Sequence, residues 1–130
     1  MHKEIAKIRR AYLGTEDHGI LCCSIDFDFG GSGQGTGGYA LDEPVHNDDG
    51  EFVEREGTAY GMQFVAGVMR AAGVESWDKV QGRTVFALRD SDGWNGKIIG
   101  IAPLPTEQGE EFIFETLRLK HLPEAADAVA

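Results

Sequence analysis

The sequence predicts a single α+β domain, with an antiparallel sheet of about five or six strands packing one main helix on its apolar face. Three observations carry this reading. The run ILCCSIDFDF (20–29) alternates with period two: Leu21, Cys23, Ile25, Phe27 and Phe29 share one face, while Cys22, Ser24, Asp26 and Asp28 share the other. The run TAYGMQFVAGVMRAA (58–72) places Tyr60, Phe64, Val65, Val68, Met69 and Ala72 on one helical stripe. Finally, RTVFALR and KIIGIAPL flank the turn dipeptides Asp92-Gly93 and Asn95-Gly96, which is the pattern of a hairpin.

The elements follow in order. KEIAKIRRAYL (3–13) reads as a strand paired with 20–29 across the loop GTEDHG, with a short helix as the alternative. Tyr39 and Leu41 alternate with Ala40 and Asp42, and Pro44 closes that segment. From Asp42 to Glu56 there are seven acids and one arginine, which reads as an exposed acidic loop. Thr58 is placed to cap the helix, and Gly73 to end it. SWDKVQG (76–82) reads as a helical turn capped by Ser76, tucking Trp77 and Val80 under the sheet. EEFIFETLRL (110–119) reads as a last strand with Phe112 and Phe114 on one face. The domain is expected to span 1–123, leaving 124–130 as a short frayed tail.

With 130 residues, one domain and a full hydrophobic core are expected. A net charge of −10 disfavours nucleic acid and anionic lipid, and favours a partner with a basic surface. Cys22 and Cys23 are adjacent and point to opposite strand faces, so a disulfide between them is not expected and a reducing compartment fits. The sequence holds no apolar run long enough for a membrane span.

GGSGQGTGG (30–38) follows the period-two strand. Gly33 to Gly38 matches G-x-G-x-x-G, yet no helix opens after it, and no Gly-Lys-Ser/Thr step follows. Three readings remain. The run is a glycine crossover where backbone packs against the sheet, or its amides form an anion nest helped by Ser32, Gln34 and Thr36, or it is a flexible loop that orders against a protein partner. Asp26 and Asp28 share a face and are weak candidates for a hard cation, the alternatives being a solvated sheet face or polar pairing with loop backbone. His18 precedes the strand, and a Cys22–His18–Asp26 set is conceivable only with an activated thiol, which nearby acids oppose. No catalytic residue and no cofactor is expected. Trp94, at a hairpin tip, either folds back on the sheet or is exposed for recognition.

EDHGILCCSIDFDFGGSGQGTGGYALDEP, followed by a helix, GVESWDKVQGRTV and an IIGI strand, resembles a family of small phage and prophage proteins. The resemblance covers roughly residues 8 to 104. It rests on Glu16 to Gly19, Gly33 to Gly38, Tyr39, Leu41, Asp42 and Ser76-Trp77. The family brings no established activity and no catalytic residues. It implies a phage gene product in the bacterial cytoplasm. Thr36 stands where an aromatic is expected, which counts against recognition at that point. The expected function is a small acidic interaction protein that modulates or inhibits a host complex, a defence complex among the candidates. The alternative is a small-ligand or nucleotide-binding protein, or an enzyme, built on the glycine run and nearby carboxylates. Candidate binding residues are Ser32, Gln34, Tyr39, Asp42, His18 and Trp94.

Overall fold

A computed structural model of the chain describes residues 1–91 and 96–121. Strand β1 (His2–Gly14) is long, and it pairs antiparallel with β2 (Cys22–Asp28) on one side. The strand reading of the N-terminal segment and its hairpin with 20–29 therefore hold. Cys23, Ile25 and Phe27 are buried, as the period-two pattern predicts. The outer edge of β2 carries two short strands, β3 (Gly33–Gly35) and β4 (Tyr39–Ala40). On its other side β1 pairs with β7 (Thr84–Arg89), which continues to β8 (Ile98–Ala102) and β9 (Phe112–Ile113). The sheet thus has seven antiparallel strands, in the order β3-β2-β1-β7-β8-β9 with β4 also on β2.

Helix α1 (Ala59–Ala72) packs on the core face of this sheet. The Thr58 hydroxyl accepts from the Gly61 amide at 2.9 Å and donates to the Leu41 carbonyl at 2.7 Å. One side chain therefore caps the helix and ties it to the chain entering it. At the other end Gly73 is left-handed at φ 70°. Phe64 and Val68 are fully buried, whereas Tyr60, Val65 and Met69 only flank the core. Gly61 and Gly67 are buried instead. A methyl group on Gly61 would collide with the Leu41 backbone, so the helix lies closer to the chain than a larger residue allows.

The segment 110–119 departs from the strand expectation. Only Phe112–Ile113 extend, pairing with Ile101 and Gly100, and helix α2 (Phe114–His121) follows. Phe112 and Phe114 both reach the core, where their rings lie 5.2 and 5.4 Å from that of Phe64. An i,i+2 spacing of buried aromatics mimics strand alternation. Beyond it, the Glu115–Arg118 pair and the basic last turn of Arg118, Lys120 and His121 suit a helix.

The acidic segment is exposed, as expected, but it is not a loop. Strands β5 (Asp42–His46) and β6 (Phe52–Gly57) form a two-stranded hairpin that pairs with no other described strand. Asn47 builds its turn. Its Oδ1 accepts from the amides of Asp49 and Glu51, its carbonyl accepts from Gly50, and Gly50 takes φ 80°. Turn chemistry overrode a composition that reads as coil. Among the described residues the sheet reaches seven strands rather than five or six, and a second, shorter helix joins the main one.

The turn at 76–80 is a short 3₁₀ segment, Trp77–Lys79, with Val80 buried beneath it. Ser76 occupies the cap position, but its side chain makes no capping bond. Asp92 to Asn95, with Trp94 among them, and the tail 124–130 lie outside the described residues.

Candidate binding groove at the base of the acidic hairpin

The glycine run is a hairpin folded onto β2. Its turn closes where the Phe29 amide donates to the Ser32 carbonyl at 2.8 Å and the Gly30 amide donates to Asp28 Oδ1 at 2.8 Å. The Thr36 amide donates to the Ile25 carbonyl, and the Thr36 hydroxyl accepts from the Ile25 amide at 3.1 Å. A methyl group on Gly35 would lie 2.6 Å from Asp26 Oδ1, so the side chain of β2 occupies the place of a side chain on β3. These amides serve the fold.

Gln34 has a specific partner. Val85, Ala87 and Arg89 share the core side of β7, and Arg89 is only 1% exposed. Its Nε donates to Glu4 Oε1 at 2.8 Å. Its Nη1 donates to Gln34 Oε1 and to the Gly96 carbonyl, each at 2.6 Å. The guanidinium carbon sits 4.7 Å from the centre of the Phe29 ring. A buried cation requires this degree of pairing, because an unpaired one costs several kcal/mol. Arg89 thus joins β1, β7 and the glycine hairpin at one end of the core. Glu4 and Arg89 were not singled out from sequence. The signal was present, since parity places Arg89 with Val85 and Ala87.

His18 lies in an exposed turn at φ 54°, with Nδ1 2.6 Å from Asp17 Oδ1. Cys23 is buried, and desolvation pushes its thiol up to about 12, so it stays protonated and unreactive. Asp28 caps the Gly30 amide, and no group of three metal-ligating side chains occurs among the described residues. Ser32 is exposed at the tip of its turn. Trp94 lies outside the described residues.

Tyr39 and Asp42 come together with residues the sequence reading did not select. Tyr39 packs on Phe64 and Phe114, with ring centres 5.0 Å from each. With Tyr60, Ile99 and Phe114 it lines a cavity of about 120 Å³, which Lys97, Glu115 and Arg118 also line. Desolvation raises the Tyr39 and Tyr60 hydroxyls above the ordinary phenol value, so both remain neutral donors. Glu115 binds Arg118 through two hydrogen bonds, of 2.8 and 2.6 Å.

Tyr60 and Arg118 also line a second, wider groove of about 530 Å³ at the base of the acidic hairpin. Asp42, Glu43, Glu56 and Thr58 form its hairpin side, and His121 lies opposite. The Asp42 carboxylate accepts from Arg55 Nε at 2.9 Å and from the Leu21 amide at 3.2 Å. The Arg55 bond holds its carboxyl below the usual carboxylate range. Glu43 and Glu56 face each other directly across β5 and β6. Neither forms an ion pair among the described residues, so the like charges are left uncompensated. Residues far apart in sequence build this groove, so no local motif could have announced it.

Comparison with known protein families, with curated proteins and with solved structures finds no match to this chain.

Proposed function

We propose that the protein is an interaction module whose acidic hairpin engages a basic surface on a protein partner. One observation carries this reading. The hairpin β5–β6 stands apart from the main sheet and exposes Phe52 by 60% and Val53 by 56%, among exposed Glu43, Asp48, Asp49, Glu51, Glu54 and Glu56. Val53 is the extra residue of a bulge between the Glu54 and Phe52 pairings, which turns the tip away from a regular ladder. An apolar pair ringed by acids fits a hydrophobic pocket rimmed by Lys and Arg. The net charge of −10 steers the same encounter.

The phage and prophage resemblance supplies the setting: a host protein in the bacterial cytoplasm, with a defence complex among the candidates. No helix among the described residues is long and apolar enough to cross a membrane.

The test compares wild type with Phe52→Ser/Val53→Ser as bait in host lysate. The partner captured by wild type is expected to be lost on the variant, with the melting temperature unchanged. Capture should also weaken as ionic strength rises from about 0.05 to about 0.5 M. A partner retained equally by both baits, or unaffected by salt, overturns the reading.

A further inference from the structure

The two cavities joined at Tyr60 and Arg118 have opposite electrostatic character. In the inner cavity Glu115 offsets Arg118 through their paired hydrogen bonds. Lys97, whose charge also acts on Glu115, forms no ion pair among the described residues and supplies the excess positive charge. Around it the walls are Tyr39, Tyr60, Ile99 and Phe114, which exclude water from one side and offer two phenol hydroxyls. In the outer groove Arg55 offsets Asp42, and the excess charge is the facing pair Glu43 and Glu56. The narrower cavity therefore carries the excess positive charge and the wider groove the excess negative charge, with Tyr60 lining both, while Lys97, Glu43 and Glu56 themselves are exposed.

We propose that these joined cavities bind a small zwitterion, its carboxylate in the inner cavity at Lys97 and its ammonium between Glu43 and Glu56. The inner cavity has room for roughly four waters, enough for a carboxylate and one or two carbons. A single anion would satisfy Lys97 but leave the facing glutamates uncompensated. A single amine would relieve the glutamates but leave Lys97 with only Glu115 and solvent to offset it. A ligand carrying both charges answers both ends, and its aliphatic body lies along Tyr60. The cavities do not include the exposed Phe52 and Val53, and because Glu43 and Glu56 serve both readings, it is Phe52→Ser/Val53→Ser and Lys97→Gln that tell the two sites apart.

The test uses the full chain and 6-aminohexanoate as the probe, with hexanoate and hexylamine as its one-ended counterparts. Titration at low salt is followed by amide chemical shifts. The zwitterion is expected to move signals at both ends, near Ile99 and Phe114 and near Glu43 and Glu56. It should bind at least about tenfold tighter than either counterpart, a difference of about 1.4 kcal/mol. Lys97→Gln should reduce its affinity to that of hexylamine, and Glu43→Gln/Glu56→Gln to that of hexanoate. Phe52→Ser/Val53→Ser should bind the probe as wild type does, and Lys97→Gln should still capture the protein partner. Equal binding of the one-ended compounds, shifts confined to one cavity, or no saturable shift with 6-aminohexanoate overturns the proposal.

Discussion

The molecule carries two polar hairpins, and they have opposite fates. The glycine hairpin lies flat on β2 and sends Gln34 inward to a buried arginine. The acidic hairpin leaves the sheet and keeps nearly all its charges in water, held at its root by Asp42, Arg55 and the Leu21 amide. The glycine hairpin has the more conspicuous sequence, yet its Gly30 and Thr36 amides and its one long polar side chain serve the fold. The acidic hairpin reads as featureless coil, yet its side chains remain free to meet something else. A side chain is available for recognition when its own fold leaves it unpaired, and a distinctive composition does not decide that.

The comparison breaks most visibly at Arg89. Arg89→Ala removes a fully buried side chain and strands the groups bound to it, so a loss of about 3–5 kcal/mol is expected in denaturant unfolding. Amide exchange should quicken in the glycine hairpin and not in the acidic one. A loss below about 1 kcal/mol would mean that the glycine hairpin is not anchored from the core.

Gln34→Ala is a smaller cut at the same junction. It removes one acceptor from Arg89 and leaves Glu4 and the Gly96 carbonyl in place, so about 1–2 kcal/mol is expected. Because Gln34 faces Arg89 and lies outside both cavities, zwitterion binding should be retained by the folded fraction. Loss of that binding without loss of stability would return Gln34 to a ligand role.

The smallest effect is expected at the root of the acidic hairpin and depends on pH. The folded carboxyl of Asp42 is held below its unfolded value, so its ionised form stabilises the fold above the unfolded pKa. That contribution is lost as pH falls through the depressed folded value, beginning below about pH 4. Asp42→Asn should flatten this acid limb while leaving the neutral-pH fold intact. An unchanged acid limb would mean that the Asp42–Arg55 pair does not fix the hairpin.

Much of the fold was legible. Alternation in 20–29 exposed the core face of β2, and the Thr58 and Gly73 signals bounded α1 to within a residue. Both depend on neighbours close in sequence, where strand and helix periods act. Misreadings arose where two local signals competed. Phe112 and Phe114 matched strand spacing although a helix begins at Phe114, and the acids of 42–56 concealed the Asn47 turn. Of the candidate site, Tyr39 and Asp42 were selected and do line the cavities, while Lys97, Arg118, Glu43 and Glu56 were not.

The sequence by itself determined the α+β class, the faces of the central strands, the caps of α1 and the acidic surface, because each follows from side-chain period or from charge. Only the tertiary structure decided which polar groups are consumed and which stay available. That choice depends on contacts between distant segments, such as Arg89 with Glu4 and Gln34, or Tyr60 and Arg118 with Glu43 and Glu56. Burial and pairing at such contacts are set by how strands and helices stack, and no spacing along the chain encodes them.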